Sequence, residues 1–454
     1  MLNKKVADLL NLRYVDVPPW ERGLMRTPLL VTKWLMLSTF PSAVITCFLL
    51  LLVRKWSILD HTMLLWSICE IACYTYWKKR MEKPYTRKSF TIALNQRVPF
   101  AKHILSHTDN IKEIFSRWML VRPPGALSIE YFKPFIRDMF FEKDISDMSP
   151  NELVIAEDIY DLFNEHIKQT PEPTKSLAKV HFMSPANDTF PYYPKSLVFS
   201  LIIFTTNNLA HSAMCTFGFR RHETRGLAYW FLSGDSDEPP IMYIHGLGVG
   251  YILYLTKIYS IMKAHPGRAI ILLEFPHVCM QPSDVILDHD QTLQELDVMF
   301  LRHNLEKVSL VSHSYGTIVA NWIIRQRPQY VAKSVLVVPV CFMMWDPTMA
   351  NTIFYAAPFC MSHEGFRFSL AADPLISLAL TKKMYWYESV LYPEYITMPT
   401  TIFLAQDDFM VDSYAIQRYL EKLLPSHSRL VLLDTFHGGS LLHHENHDPI
   451  IRSM

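Results

Sequence analysis

The chain has 454 residues, half of them hydrophobic, so a large buried core is available and disorder of the whole is excluded. Its 44 basic residues balance 43 acidic ones, for a formal net charge of +1. The basic side chains gather beside apolar N-terminal stretches rather than in nucleic-acid motifs, so nucleic acid is not an expected partner.

Residues 1–33 form a basic segment carrying Lys4, Lys5, Arg13, Arg22, Arg26 and Lys33. Residues 34–53 contain no charge and end in Phe48-Leu49-Leu50-Leu51-Leu52-Val53, long enough to cross a hydrocarbon layer of roughly 30 Å. A long stretch precedes them and no small-x-small cleavage site follows, so they read as a retained anchor rather than a signal peptide. Residues 58–77 are also apolar, but Asp60, His61 and Glu70 interrupt them, and a carboxylate at a bilayer centre costs about 2.5–3.5 kcal/mol. The anchor, 34–77, therefore has one or two transmembrane helices. Were both to span, the basic cluster before them and Lys78, Lys79, Arg80, Lys83, Arg87 and Lys88 after them would put both ends in the cytosol. Arg54 and Lys55 in the connecting turn oppose that orientation.

Residues 78–215 read as a helical linking region, broken at Pro123-Pro124-Gly125 and Pro171-Glu172-Pro173. Within it the apolar run 197–204 meets Thr205, Thr206, Asn207, Asn208 and His211 too early to span, which predicts a buried or interfacial helix over 197–210. From 216 to 454 short β-rich runs alternate with helical stretches. The predicted strands are 228–232, 241–244, 269–275, 308–311, 334–338, 401–405 and 429–433. Runs such as Ile270-Ile271-Leu272-Leu273 suit strands buried on two faces, so the class is α/β with a mostly parallel sheet. The seven cysteines are scattered, odd in number and without disulfide or zinc spacing, which fits a reducing compartment.

The chemistry concentrates in four places of this second half. In Val311-Ser312-His313-Ser314-Tyr315-Gly316 a strand enters a tight turn and then a helix, the context of a nucleophile elbow with Ser314 as nucleophile. Gly316 fills one small position, and Ser312 stands where the G-x-S-x-G pattern has its first glycine. Upstream, a strand leads into His245-Gly246-Leu247-Gly248, a supporting turn that offers the N–H of Leu247, with that of Tyr315, as an oxyanion hole. Downstream, Asp407 and Asp408 compete as the acid that orients a histidine; successive side chains diverge, and Asp408 is favoured. After the last strand comes His437, the candidate general base.

The order serine, aspartate, histidine resembles that of the α/β-hydrolases, from about residue 228 to the end. More narrowly, Ser312, the His245 turn, Ala405-Gln406-Asp407-Asp408-Phe409-Met410-Val411-Asp412 and Ile136-Arg137-Asp138-Met139-Phe140-Phe141 resemble the membrane-attached α/β-hydrolases of fungi and plants. Many of those have aspartate-proline where Val338-Pro339 stands here, so an acid at that place is excluded. The resemblance implies an α/β-hydrolase fold and a serine triad, without naming a substrate. Aspartate at position 314, which dehalogenase or epoxide hydrolase chemistry would use, is absent.

Residues 341–398 lie where this fold inserts a lid. They carry Phe342, Met343, Met344, Trp345, Phe354, Tyr355, Phe359, Met361, Phe366, Phe368, Met384, Tyr385, Trp386 and Tyr387. Singly each is expected to pack the insert onto the core; together, beside an anchor, they favour a hydrophobic acyl ester or lipid as substrate. His443, His444, Glu445, His447 and Asp448 read as a solvated terminal helix, so no metal is expected, and the chemistry needs no cofactor. Asn187-Asp188-Thr189 fits the glycosylation pattern but would face the cytosol. The expectation is a membrane-bound serine hydrolase of a carboxylic ester or thioester, on an endomembrane such as the endoplasmic reticulum, with its catalytic domain cytosolic. An acyltransferase with the same triad and a non-catalytic membrane scaffold are the alternatives.

Overall fold

A computed structural model describes residues 38–50, 52, 56–82, 92–120, 129–167, 181–190, 192–193, 195–357, 361–439 and 447–454. The basic segment 1–33, both ends of the apolar stretch 34–53, the two proline-rich breaks, Phe359, and His443, His444 and Glu445 lie outside them. The chain divides into two compact units, one drawn from Met1–Tyr85, Thr189–Met343 and Thr352–Met454, the other from Thr86–Asp188 and Met344–Asn351.

The first unit is built on a sheet whose eight described strands are β1 (Arg220–Glu223), β2 (Ala228–Leu232), β3 (Ile241–Ile244), β4 (Ile270–Glu274), β5 (Val308–His313), β6 (Val331–Val337), β7 (Thr400–Asp407) and β8 (Arg429–Phe436). Their order is β1-β2-β4-β3-β5-β6-β7-β8. β1 and β2 are antiparallel to their neighbours and every other pairing is parallel. Every residue of β3, β4 and β5 is buried, and because successive side chains point to opposite faces, these strands are covered on both sides. β1 was not expected. Its sequence Arg-Arg-His-Glu has no apolar alternation, and its three exposed charged residues suit an edge that must not pair with other chains.

Besides the short helices Met361–Phe366 and Trp386–Ser389, the described helices of this unit, in chain order, are α1 (Ser38–Leu50), α2 (Ile58–Glu82), α3 (Leu197–Thr216), α4 (Leu255–Ala264), α5 (His289–Arg302), α6 (Gly316–Gln326), α7 (Pro374–Leu378), α8 (Ser413–Leu423) and α9 (His447–Arg452). Asp288 starts α5 through a capping box with Gln291, and Asp412 starts α8 by accepting from the Ala415 N–H. α1 and α2 meet where Phe40 stacks on Tyr74, ring centroids 3.9 Å apart. Glu70 on α2, which argued against burial in a bilayer, is 2% exposed and accepts from the Leu197 N–H at the start of α3. The carboxylate is thus placed against the positive end of a helix.

α3 continues through the polar residues that were expected to end its apolar run. Thr206, Asn207 and Asn208 bond back to the carbonyls of Ile202, Ile203 and Phe204 at 2.8–2.9 Å, so the helix proceeds without stranded side-chain polar groups. It is the one helix among the described residues long and apolar enough to cross a membrane by length and composition. Ile203, Asn207, Ala210 and Met214 form a buried face, while Val198, Leu201, Ile202, Phe204 and Leu209 are exposed. The helix is thus apolar on its exposed side as well as on its buried one, unlike an amphipathic surface helix, which turns polar residues outward.

In the second unit the helices 94–106, 111–117, 129–141 and 150–167 enclose an aromatic core. Phe115 stacks on Phe163 at 4.9 Å and meets Phe135 edge-on at 5.2 Å. Residues Met344–Asn351, expected as part of the lid, belong to this unit: Trp118 donates its indole N–H to the Trp345 carbonyl at 2.9 Å and Arg117 pairs with Asp346 at 3.1 Å.

A buried electrostatic cluster centres on Glu274, at the end of β4 and 2% exposed. Burial would raise its pKa, yet hydrogen bonds from His211 and Arg221 and the charge of the latter hold it down at about 2, against 4.5 for a free glutamate. Because the folded pKa is depressed, its contribution is fully present above pH 4.5 and is lost as pH falls toward 2, about 3 kcal/mol in all. Thermal unfolding of Glu274→Gln should show a deficit of this order at pH 7. That deficit should narrow when both proteins are compared between pH 4.5 and 3.

Candidate active site

The C-terminal end of β5 carries the elbow. Ser314 has φ +51°, a left-handed conformation that costs a non-glycine residue on the order of 1 kcal/mol and lifts its side chain out of the strand direction. Surrounding bonds hold it there. The Ser314 N–H donates to the Val337 carbonyl at 3.0 Å, while its own carbonyl accepts from the N–H and hydroxyl of Thr317 at 2.8 and 2.6 Å. The Thr317 oxygen accepts in turn from the Val340 N–H at 3.1 Å, tying the turn to the chain leaving β6. α6 then begins at Gly316 directly over β3: a Cβ there would sit 2.4 Å from the Ile244 carbonyl oxygen and 2.8 Å from that of His245. Ser312, in the position of the first motif glycine, is fully buried and pairs in register with Ile244 and Leu336.

Three side chains distant in sequence converge above this end of the sheet. The Ser314 hydroxyl lies 2.8 Å from His437 Nε2, and His437 Nδ1 lies 2.7 Å from Asp408 Oδ2. The Asp408 side chain is 1% exposed, and its other oxygen accepts from the N–H groups of Met410 at 2.7 Å and Val411 at 3.3 Å. A carboxylate so engaged accepts the His437 Nδ1 proton, which leaves Nε2 as the nitrogen that can receive one from Ser314. Asp407 is exposed at the end of β7, and its side chain has no part in this chain of bonds. The register shift between β7 and β8 near Ala405 and Asp407 is where the two loops diverge.

The turn after β3 faces the same place. Gly246 is required sterically, since a Cβ would stand 2.9 Å from both His313 Nδ1 and Ser314 Cβ; at Gly248 it would meet only Leu253 at an ordinary 3.6 Å. His245 is fully buried. Its Nε2 accepts from the Phe275 N–H at 3.2 Å, so the ring proton sits on Nδ1 and is donated to the Gly246 carbonyl at 2.8 Å. Burial lowers its pKa and keeps it neutral, the Gly246 bond opposing only in part. In a planar trans peptide the N–H points opposite to the C=O, so fixing the Gly246 carbonyl fixes the Leu247 N–H. The N–H groups of Leu247 and Tyr315 make no hydrogen bond among the described residues.

Three contributors carried no signal in the sequence. Thr317 locks the elbow, Tyr254 accepts from the Gly246 N–H at 2.8 Å, and the Phe409 ring packs edge-on to His437 at 5.8 Å. Phe409 is followed outward by Phe366 and His363 of the insert, each with its ring centroid 6.2 Å away. Phe342, Phe354, Phe368, Tyr385 and Tyr387 of the insert are buried and act as packing groups. Parts of the insert have i to i+5 bonds, Ala372 N–H to Arg367 carbonyl and Met384 N–H to Ala379 carbonyl, both 2.9 Å.

No protein-family model matches the sequence, and no curated protein does. Among solved structures the chain is similar to the carboxylesterase CesB (YbfK) of Bacillus subtilis, with 16% identity and a TM-score of 0.43 over 56% of this chain and 97% of that one. It is similar to a membrane phospholipase A described as a bacterial virulence factor, with 14% identity and a TM-score of 0.39 over 56% and 92%. Haloalkane dehalogenase DbeA of Bradyrhizobium elkani is a third, with 15% identity and a TM-score of 0.38 over 52% and 95%.

The clearances separate the two motif glycines experimentally. Gly316→Ala forces a methyl group against two backbone carbonyls and should abolish soluble folded protein or reduce its thermal stability by several degrees. Gly248→Ala should leave stability and reactivity toward an active-site probe within about twofold of wild type, as expected where only ordinary contact is added.

Proposed function

We propose that this chain is a serine hydrolase of the α/β-hydrolase fold that cleaves a hydrophobic carboxylic ester or thioester through an acyl-enzyme. The observation that carries this reading is the unbroken line from the Ser314 hydroxyl to His437 Nε2 at 2.8 Å and from His437 Nδ1 to Asp408 at 2.7 Å. In the reaction, Ser314 Oγ attacks the acyl carbon while its proton passes to His437. The resulting imidazolium is stabilised by Asp408, and the Leu247 and Tyr315 N–H groups hold the oxyanion. Collapse breaks the ester bond, the leaving group takes the proton from His437, and water reverses the sequence to release the acid. All these roles use side chains and amides of the chain itself.

Membrane attachment and a lipid-like acyl group belong to the same proposal. Their support is the α1 and α2 pair, on which Ile45, Phe48, Leu49, Ile58, Leu59, Leu65 and Ile68 are at least half exposed, together with the exposed apolar residues of α3. Large apolar side chains exposed in this number on helices are a mark of membrane or partner contact.

The test is labelling of the full chain in membranes with a fluorophosphonate. Wild type should label; Ser314→Ala and His437→Ala should not, and persistent labelling of Ser314→Ala removes the nucleophile assignment. A folded wild type that never labels leaves the non-catalytic scaffold as the better description. Asp408→Asn should slow ester hydrolysis by about 10³- to 10⁴-fold, whereas Asp407→Asn should stay within about twofold, because only the former orients the imidazole.

A further inference from the structure

His313 lies immediately before Ser314 and is buried, yet no step above uses it. Its Nδ1 is 3.1 Å from the hydroxyl of Tyr254, which is itself buried and already accepts the Gly246 N–H. A phenol has a single proton, and with the Gly246 N–H directed at its oxygen that proton has one acceptor in reach among the described residues, His313 Nδ1. The imidazole must then be neutral, with its own proton on Nε2. Burial, reinforced by the charges of Lys257 and His437, holds its pKa well below the ordinary value, so it stays neutral in the fold.

Resting on the reading of Ser314 as nucleophile, we infer that Tyr254 and His313 are a positioning pair that fixes the oxyanion turn to the nucleophile elbow. Both peptide planes that meet at Gly246 are held: its C=O, in the same plane as the Leu247 N–H, by His245, and its N–H, in the preceding plane, by Tyr254, which restricts the direction of the Leu247 N–H. Tyr254 then refers that direction to His313, whose backbone is continuous with Ser314. The two parts that must act on one carbonyl, the attacking oxygen and the amide that receives the negative charge, are thereby referenced to each other rather than separately to the sheet. Space agrees with this arrangement, since even a methyl group on Gly246 would meet His313 Nδ1 at 2.9 Å. Neither residue touches the reacting atoms. Their effect is on the alignment of the oxyanion donors, which matters more in the tetrahedral intermediate than in the bound ester.

The experiment compares hydrolysis of a p-nitrophenyl acyl ester by the full chain in detergent for wild type, Tyr254→Phe, His313→Leu, His313→Asn and the double variant Tyr254→Phe/His313→Leu, with thermal unfolding of each. We expect kcat to fall about 10- to 100-fold for Tyr254→Phe and His313→Leu with KM little changed, the size of a misaligned oxyanion donor. The double variant should lose no more than Tyr254→Phe alone, because loss of that hydroxyl already removes the link to His313 together with the bond to Gly246. His313→Asn should keep most of the activity, since its amide oxygen can accept where Nδ1 did. Losses in kcat that track losses in thermal stability, additive losses, or a Tyr254→Phe enzyme as fast as wild type would overturn the inference. In that last case hydrolysis that still depends on Ser314 leaves the catalytic reading standing. A wild type with no Ser314-dependent hydrolysis overturns both.

Discussion

The arrangement depends on one close approach, that of the first turn of α6 to the end of β3, where the Gly316 Cα leaves no room for a side chain against the Ile244 carbonyl. A helix can follow β5 so abruptly only if its first residue lets two backbones nearly touch. That abruptness puts Ser314 at φ +51°, with its hydroxyl above the sheet instead of within it. The strain is local and is compensated by three hydrogen bonds to Val337 and Thr317. Parallel strands end together on one side, so the loops that follow β3, β7 and β8 necessarily share that side with the elbow. The meeting of residues 247, 314, 408 and 437 is a consequence of strand direction and order as much as of any attraction between them.

Electrostatics then sorts the residues that topology delivers. Two aspartates stand side by side where β7 ends, and the one with its carboxylate 1% exposed has an imidazole and two backbone N–H groups to accept from. An ionised carboxylate removed from water with fewer partners would sooner take up a proton than serve as an acid that orients a base. The exposed neighbour is solvated and has no such demand. His245 and His313 are both buried and held neutral, and a neighbouring donor dictates the tautomer of each ring: the Phe275 N–H for His245 and the Tyr254 hydroxyl for His313.

The legible part of the sequence was the part in which backbone geometry restricts residue type. Seven of the strands, the small residues of the elbow and the glycine turn after β3 follow from apolar runs and steric necessity. Contributors whose role is set by a tertiary neighbour were silent. Tyr254 looks like any aromatic on a helix, and only the fold brings its hydroxyl to Gly246 and His313. β1 escaped because edge strands are selected for solvation rather than alternation, and α3 outran its apolar segment because asparagine and threonine can bond back along a helix. In the insert the aromatic residues largely pack inward, as expected of them singly, but Met344–Asn351 belong to the other unit, which no local pattern marks.

The apolar helices and the insert are joined in a way no local pattern could suggest. Lys195, just before α3, is 4% exposed; its ammonium lies 2.6 Å from Asp373 at the start of α7, donates to the Met280 carbonyl at 2.7 Å and sits 5.6 Å from the ring of Trp77 on α2. Asp373 also accepts, through its other oxygen, from the N–H groups of Leu375 and Ile376. A buried ion pair is a poor source of net stability, because desolvation cancels much of its attraction, and apolar groups of equal volume often do as well. What it supplies is register: an ammonium surrounded by a carboxylate, a carbonyl and an indole face has one low-energy position, and a shift of any of the three strands the charge. α2, the entry to α3 and the insert beside Phe409 are therefore constrained to one another by geometry that apolar packing alone, with its tolerance of sliding, would not enforce.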